Sequence, residues 1–144
     1  MSQQHFYEVK AKWENDRKGI LSSTILPETI ACATPPEFPN GMPGIWSPEH
    51  LFAAAISSCY MATFLAIAEN FKLEFESFEC NTICTLELVE GKFQISKAII
   101  TPQVILANPE EDREKVIKVL EKSKSACLVT NSMKTEVILD LSTI

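Results

Sequence analysis

The amino-acid sequence predicts one α+β domain with the element order β-β-β-α-β-β-α-β. Three patterns predict it: apolar and polar residues alternate along residues 6–13, residues 51–68 form one uncharged apolar run, and two extended segments precede an amphipathic helix. A chain of 144 residues buries about two-thirds of the surface that its unfolded form exposes. Because we find no internal repeat, low-complexity tract or linker, we expect residues 1–144 to form a single domain.

The N-terminal part of the chain has the pattern of a β-hairpin with a third strand. Residues 6–13 alternate as a half-buried strand does, and the polar turn 14–19 leads to a second strand over residues 20–25. Residues 29–33 predict a third strand. The following prolines and glycines predict an irregular loop that ends at Trp46.

A long helix is predicted from Ser47 to about Phe71. Ser47 suits the N-cap, Pro48 suits the first helical position, and Glu49 in the first turn interacts favourably with the helix dipole. The run 51–68 is at the lower length limit for a membrane span, but alanine, serine and threonine dilute its hydrophobicity and its flanks lack positive charge. We therefore expect a core helix that is buried on nearly all faces.

The rest of the chain predicts two strands, a helix and a final strand. Residues 73–88 and 93–105 are extended segments joined by a turn, which favours an antiparallel pair. An asparagine, a proline and two acids then open a helix over residues 108–124. Its apolar stripe is Val116, Ile117, Val119 and Leu120. Residues 134–139 form the last strand.

Charge and cysteine content exclude several classes of protein. The net charge of −6, with no run of lysine or arginine, argues against nucleic acids and acidic membranes as partners. The first residues have neither the basic nor the apolar region of a secretory signal, so we expect a cytoplasmic protein. Five cysteines at irregular spacing do not predict a secreted disulfide framework, and a functional disulfide would be transient and catalytic.

Cys59 and Cys127 are the candidate reactive residues. A lone free cysteine is most often a small apolar filler, and this is our interpretation of Cys32. Cys80 and Cys84 share one face of a strand. Without further cysteine or histidine at ligand spacing they do not predict a zinc site. We also find no phosphate loop or dinucleotide fingerprint, and we expect neither a cofactor nor a metal.

The segments that contain these two cysteines resemble a known family. Ser47–Cys59 and Ala126–Ser132 are similar to the corresponding motifs of the osmotically inducible protein C (OsmC) and organic hydroperoxide resistance (Ohr) family, and the element order matches over nearly the whole chain. The resemblance implies an intertwined homodimer whose two central helices are enclosed by curved antiparallel sheets. It also implies reduction of organic hydroperoxides by a cysteine pair, as in an oxidative stress response.

The resemblance implies a role for four residues. Cys59 is the peroxidatic thiol, Cys127 is the resolving thiol, and Glu49 pairs with an active-site arginine, for which Arg17 occupies the matching place. A helix-dipole partner is an equally good interpretation of Glu49. The family often has proline after the second cysteine, and this chain departs from that pattern with Leu128.

The geometry of one helix constrains Glu49. Ten residues separate Glu49 from Cys59, which corresponds to about 15 Å along the axis and about 80° around it. We therefore expect Glu49 of one subunit to reach Cys59 of the other. Burial raises the pKa of a thiol, and we expect a cation to offset this effect at Cys59. Arg17 is the candidate, because Arg113 lies in the polar part of the second helix.

The predicted function is a thiol-dependent peroxidase. Cys59 forms a sulfenate, Cys127 forms a disulfide with it, and an external dithiol, such as the lipoyl type used in the family, resets the pair. An apolar wall on the central helix favours organic hydroperoxides. Its expected members are Phe52, Ile56, Tyr60 and Met61.

Two other functions compete with this prediction. One is a non-enzymatic or weakly active, stress-associated dimer that binds a small ligand on the same fold. The other is a hydrolase with Cys59 as nucleophile. It is disfavoured because neither His5 nor His50 is placed to act as the base.

Overall fold

Two three-stranded sheets and three helices make up the fold in a computed structural model that describes residues 3–144. Met1 and Ser2 belong to the N-terminal stretch from which we expect a cytoplasmic protein, and they lie outside the described residues. The chain forms two compact units, one ending at Leu51 and the other beginning at Phe52. The α+β class is confirmed, and one short helix is added to the predicted element order.

The first sheet is antiparallel and has the order β1-β2-β3, with β1 at Lys10–Asn15, β2 at Lys18–Ser23 and β3 at Leu26–Ala33. Only Asp16 and Arg17 connect β1 to β2. Asp16 has a φ of 47°, a left-handed conformation that aspartate tolerates better than most residues. The hairpin turn is therefore tighter than the six-residue turn that the sequence predicts.

The first strand differs from its prediction in position and in burial. It begins at Lys10 rather than at residue 6 and is exposed along its whole length. Trp13 is 74% exposed although its indole N–H donates to the Asp16 carbonyl at 2.9 Å. The alternation of residues 6–13 predicts a buried face, but nothing within this chain covers that face in the described residues.

Helix α1 spans Pro48–Asn70 and begins as predicted. The Ser47 hydroxyl accepts the backbone N–H of His50 at 3.1 Å, which is the N-cap hydrogen bond. The side chains that α1 buries are spaced four residues apart and lie on one face: Ile56, Tyr60, Phe64 and Ala68. The expected burial on nearly all faces is therefore wrong for the single chain, in which Met61 and Leu65 are 43% and 45% exposed.

Length and composition alone would also allow α1 to cross a membrane. The core helix of a soluble protein meets the same criterion, and the four buried side chains of α1 belong to the hydrophobic core. This agrees with the core helix that the sequence predicts.

The second sheet is mixed. Strands β4 (Phe75–Val89) and β5 (Lys92–Leu106) form the predicted antiparallel pair, and β6 (Glu136–Leu139) pairs with β5 in parallel. Glu90 and Gly91 join β4 and β5, with φ values of 52° and 82°. Two successive positive φ values are typical of the type I′ turn, whose twist matches that of a hairpin.

Helix α2 spans Pro109–Ala126 and packs through the predicted apolar stripe. Its buried residues are Val116, Val119, Leu120 and Ser123, with Ile117 partly buried. Asn108 occupies the N-cap position, but its side chain makes no capping hydrogen bond. Cys127 then adopts an extended conformation, and the short helix α3 (Leu128–Asn131) follows it. The sequence analysis does not predict α3.

The core of the second unit is built around aromatic rings that α1 and β4 contribute. Phe64 stacks on Phe78 with ring centroids 4.3 Å apart and contacts Phe75 edge to face at 5.2 Å. Phe64 is fully buried. Such ring pairs stabilise a core beyond the area that they bury.

Truncation of this ring tests the packing. We expect Phe64→Ala to lower the free energy of unfolding by about 3–5 kcal/mol, because it removes a fully buried ring and leaves a cavity. Glu69→Ala, at an exposed position of the same helix, is the control, and we expect it to change stability by about 0.5 kcal/mol or less. Denaturant unfolding followed by circular dichroism measures both. Equal effects would contradict the packing described here.

Candidate active site: a paired thiol centre

The fold brings Cys59 and Cys127 into contact. Cys59 lies in the middle of α1 and is partly buried, whereas Cys127 lies in the break between α2 and α3 and is fully buried. Each side chain affects the pKa of the other, through hydrogen bonding at both thiols and through the charge of Cys59 at Cys127. Both are free thiols, as are the other three cysteines. The sequence motif therefore identifies two cysteines that are neighbours in space although 68 positions separate them along the chain.

Hydrogen bonds lower the pKa of Cys59. Burial raises this pKa, but the backbone N–H of Val129, the Cys127 thiol, the Thr63 hydroxyl and the backbone N–H of Leu128 lower it further than burial raises it. The Thr63 hydroxyl lies 4.0 Å from the Cys59 sulfur and 2.8 Å from the Cys59 carbonyl, and its one proton is donated to one of these two acceptors at a time. None of these donors carries a positive charge. Within the described residues, neutral donors therefore offset the effect of burial, and the expected role of the Arg17 cation stays a prediction.

The pKa of Cys127 moves in the opposite direction. Burial raises it, hydrogen bonds from the Thr130 N–H and hydroxyl lower it, and the hydrogen bond and charge of Cys59 raise it again. The net effect is a raised pKa. Of the two sulfurs, Cys59 is therefore the one that ionises first, and Cys127 keeps its proton and donates it to the Cys59 thiolate.

The departure from the family pattern at residue 128 has a direct consequence for this pair. Proline has no backbone N–H, whereas Leu128 has one and donates it to the Cys59 sulfur. The side chain of Leu128 is 70% exposed and makes no contribution to the core. The backbone donors of Leu128 and Val129 are functional groups that the sequence analysis misses, and the absent proline is the one signal that could have pointed to them.

The other two predicted site residues, Arg17 and Glu49, are not joined by an ion pair within residues 3–144. Arg17 lies in the exposed turn between β1 and β2, as predicted. Glu49 is the second residue of α1, and its Oε1 atom is buried with no hydrogen-bond partner in the described part of the chain. A buried carboxylate oxygen without a partner is costly, which makes Glu49 a ready acceptor for a cationic donor.

Two of the four expected pocket residues lie in the core instead. Ile56 and Tyr60 are fully buried, and the Tyr60 hydroxyl donates to the Leu120 carbonyl at 2.8 Å. Both side chains lie on the face of α1 that packs against the sheet. Because α1 is apolar on all sides, the sequence does not reveal which face this is. Met61 is exposed, and Phe52 lines a cleft of about 370 Å³. The other lining residues are Gln94, Ile95, Ser132, Met133, Lys134 and Thr135.

The remaining cysteines, Cys32, Cys80 and Cys84, are partly buried and lie outside the thiol pair. The Cys80 thiol donates to the Ser57 carbonyl at 3.4 Å, and Cys84 packs against the core from the same strand. Burial raises the pKa of both thiols. Burial raises the pKa of Cys32 as well, with a further contribution from the charge of Glu49. Within residues 3–144, no group of three or more histidine, cysteine and acidic side chains is arranged to hold a metal ion.

His50 takes part in capping and not in the thiol centre. Its Nδ1 atom lies 2.7 Å from the Ser47 hydroxyl, and its ring contacts Trp46 edge to face with ring centroids 6.3 Å apart. This agrees with the exposed or capping position that the sequence favours for it.

Known proteins match this chain almost end to end, one in sequence and others in fold. YmaD, an uncharacterised protein of Bacillus subtilis, is 28% identical over 145 residues, which cover 98% of this chain and 94% of that protein. The structure of an OsmC-like protein of unknown function from Vibrio cholerae matches with a TM-score of 0.82 at 24% identity, covering 94% of this chain and 99% of that one.

A further structure, an organic hydroperoxide resistance protein OsmC from Legionella pneumophila, matches with a TM-score of 0.74 at 22% identity. It covers 94% of this chain and 97% of that one. These structures establish the shared fold. The family model for OsmC-like proteins matches residues 41–142, which include α1 and both cysteines of the thiol centre. The chain therefore belongs to the OsmC-like protein family, as its motifs predict.

Proposed function

We propose that the protein is a thiol-dependent peroxidase that reduces organic hydroperoxides to alcohols. The observation that carries the proposal is the asymmetric thiol pair, in which Cys59 has a lowered pKa and Cys127 a raised one. A peroxide must be attacked by a thiolate, and the disulfide that follows needs a second thiol nearby. Membership in a family that includes organic hydroperoxide resistance proteins supports a role in peroxide resistance.

The first step consumes the peroxide. The Cys59 thiolate attacks the terminal oxygen of R–O–OH, a sulfur–oxygen bond forms, and the O–O bond breaks. The leaving alkoxide takes a proton and departs as the alcohol, and Cys59 becomes a sulfenic acid. The N–H groups of Leu128 and Val129 and the Cys127 thiol stabilise the attacking thiolate.

The second step forms the disulfide. Cys127 attacks the sulfenic sulfur of Cys59, the hydroxyl group leaves as water, and a Cys59–Cys127 disulfide results. The effect of each thiol on the pKa of the other supports this step, because it requires the two side chains to lie close together. An external dithiol of the lipoyl type then reduces the disulfide and returns both thiols. This cycle requires a reducing compartment, and we propose a cytoplasmic location, which cell fractionation tests.

Arg17 and Glu49 assist the reaction in our proposal. The buried Oε1 atom of Glu49 lacks a partner, and a guanidinium is a good match for it. We propose that Arg17 pairs with Glu49, and that the pair of one subunit serves the Cys59 centre of the other. The guanidinium would then donate to the peroxide oxygens as negative charge develops on them.

A second copy of the chain is the proposed partner. The face of α1 that carries Met61 and Leu65 is exposed, as are the large apolar side chains of the β4–β5 hairpin. These hairpin residues are Ile83, Leu86, Leu88 and Phe93. Large exposed apolar patches on a soluble protein commonly mark a protein–protein interface. An intertwined homodimer would cover these exposed apolar side chains and would bury the remaining faces of α1.

The peroxidase proposal is tested by adding one equivalent of cumene hydroperoxide to the reduced protein. We expect one equivalent of alcohol and a Cys59–Cys127 cross-link, seen by mass spectrometry as the loss of two hydrogen atoms. Cys59→Ser should form no alcohol. Cys127→Ser should form alcohol once and retain a sulfenic acid that a dimedone probe traps, because the second thiol is missing.

Cys84→Ser is the matched control, since Cys84 lies outside the pair, and it should behave like the natural protein. Inert thiols, or slow oxidation spread equally over all five cysteines, would overturn the peroxidase proposal. A small-ligand-binding protein on the same fold would then be the better account.

The Arg17–Glu49 pair is tested by a double-mutant cycle on kcat/KM. We expect Arg17→Gln and Glu49→Gln each to lower kcat/KM by about tenfold or more, and the double variant to lose little beyond either single one. Arg113→Gln is the control, because Arg113 is exposed and donates to the main-chain oxygen of Ile144. If Glu49 acts only on the helix dipole, Glu49→Gln will change stability and leave kcat/KM as it was.

The dimer is tested by sedimentation of the reduced protein. We expect a dimer for the natural sequence and a monomer for the double variant Met61→Lys, Leu65→Glu, because it places charges on the exposed apolar face of α1. Lys118→Glu, at an exposed position of α2, should remain dimeric. A natural protein that sediments as a monomer would contradict the proposal.

A further inference from the structure

The Thr63 hydroxyl lies beside the Cys59 sulfur on α1. Side chains four residues apart share one face of a helix, and these two residues have that spacing. The hydroxyl oxygen is 4.0 Å from the sulfur and 2.8 Å from the Cys59 carbonyl oxygen. Both residues are partly buried. Thr63 is therefore a polar group within reach of the reactive sulfur, and the peroxidase cycle proposed above assigns it no step.

The hydroxyl proton of Thr63 is able to change its acceptor. In the reduced protein the shorter distance favours the Cys59 carbonyl. This carbonyl lies inside α1, where it also accepts the backbone N–H of Thr63, so it keeps a partner when the hydroxyl turns away. A hydroxyl proton rotates while the heavy atoms stay in place. Redirecting the hydroxyl therefore leaves the helical hydrogen bonds intact.

The position of the hydroxyl suits an oxygen atom bonded to the Cys59 sulfur. A separation of 4.0 Å is at the long end for a hydrogen bond to the sulfur itself. Hydrogen bonds between a hydroxyl and an oxygen are about 2.7–2.8 Å long, and an oxygen on Cys59 projects from the sulfur by one covalent bond. On the Thr63 side it comes within hydrogen-bonding distance. Hydrogen bonds of catalytic groups often tighten only when the reacting molecule is present.

We propose that Thr63 is a further catalytic residue, whose hydroxyl donates to the oxygen that Cys59 accepts from a peroxide. The Cys59 thiolate attacks one peroxide oxygen, a sulfur–oxygen bond forms, and the O–O bond breaks. The sulfur loses two electrons, the peroxide gains them, and the leaving oxygen takes a proton from water. A donor at the transferred oxygen holds the peroxide in line for the attack. The inference rests on the proposed oxidation of Cys59 but not on an organic substrate.

A purely structural role is the competing interpretation of Thr63. Threonine inside a helix commonly donates to the carbonyl four residues before it, and this contact takes no part in chemistry. The two interpretations differ once oxygen is transferred, because only the catalytic role includes a contact with that oxygen. Alkylation of Cys59 uses the same thiolate but transfers no oxygen. An effect of Thr63 on the ionisation of Cys59 therefore enters both reactions and cancels in the ratio of their rate constants.

The test compares the rate constants of Cys59 for hydrogen peroxide and for iodoacetamide at one pH. Mass spectrometry follows both products in a Cys127→Ser background, in which the sulfenic acid persists for trapping by dimedone. Thr63→Val has nearly the same shape but no hydroxyl, and we expect the ratio of the peroxide to the alkylation rate constant to fall about fivefold, the effect of one hydrogen bond. Thr63→Ala should lower the ratio as well. Thr63→Ser, the matched control, keeps the hydroxyl and should keep the ratio.

Two results would overturn the inference. One is an unchanged ratio in a Thr63→Val protein that circular dichroism shows to be folded. The other is a ratio that falls in Thr63→Ala but not in Thr63→Val, because side-chain bulk would then explain the effect. Hydrogen peroxide oxidises a thiolate without any organic substrate. A lower ratio in a protein inert to cumene hydroperoxide would therefore defeat the peroxidase proposal alone, and alcohol formation with an unchanged ratio would defeat this inference alone.

Discussion

The hydrogen bond between Cys59 and Cys127 is the interaction on which the rest of the site depends. It exists because α1 presents Cys59 toward the point where α2 ends, and because Cys127 is extended rather than helical. If α2 continued without a break, the Leu128 and Val129 N–H groups would donate within the helix and not to sulfur. The break between α2 and α3 therefore supplies both the second thiol and the donors that favour the Cys59 thiolate.

The sequence predicts most of the fold because its apolar residues recur at clear helix and strand periods. It does not predict burial where the atoms that would cover a face come from outside the segment itself. The N-cap at Ser47, the β4–β5 pair and the apolar stripe of α2 follow from local rules, and the structure has all three. The exposure of β1 and of the outer face of α1 does not follow from such local rules. An alternating strand and an apolar helix predict that something covers them, but within the described residues their own chain does not.

The site is predicted in part for a related reason. Sequence motifs identify Cys59 and Cys127, but they do not say which donors surround each sulfur, because hydrogen bonds from the main chain carry no residue signature. Because burial alone raises a thiol pKa, the sequence leads us to expect a cation at Cys59, and it gives no sign of the neutral donors within the chain that lower this pKa. The sequence also predicts Ile56 and Tyr60 in a pocket, because the apolar residues all around α1 do not reveal which of its faces meets the sheet.

A site-resolved titration tests whether Cys59 ionises before Cys127. Cysteine labelled with ¹³C at Cβ reports the ionisation of each thiol by NMR, with Cys59→Ser and Cys127→Ser used to assign the signals. We expect a pKa below the ordinary thiol value for Cys59 and above it for Cys127, and we expect Cys127→Ser to lose part of the Cys59 shift. Ionisation of Cys127 first, or two thiols with ordinary values, would contradict it.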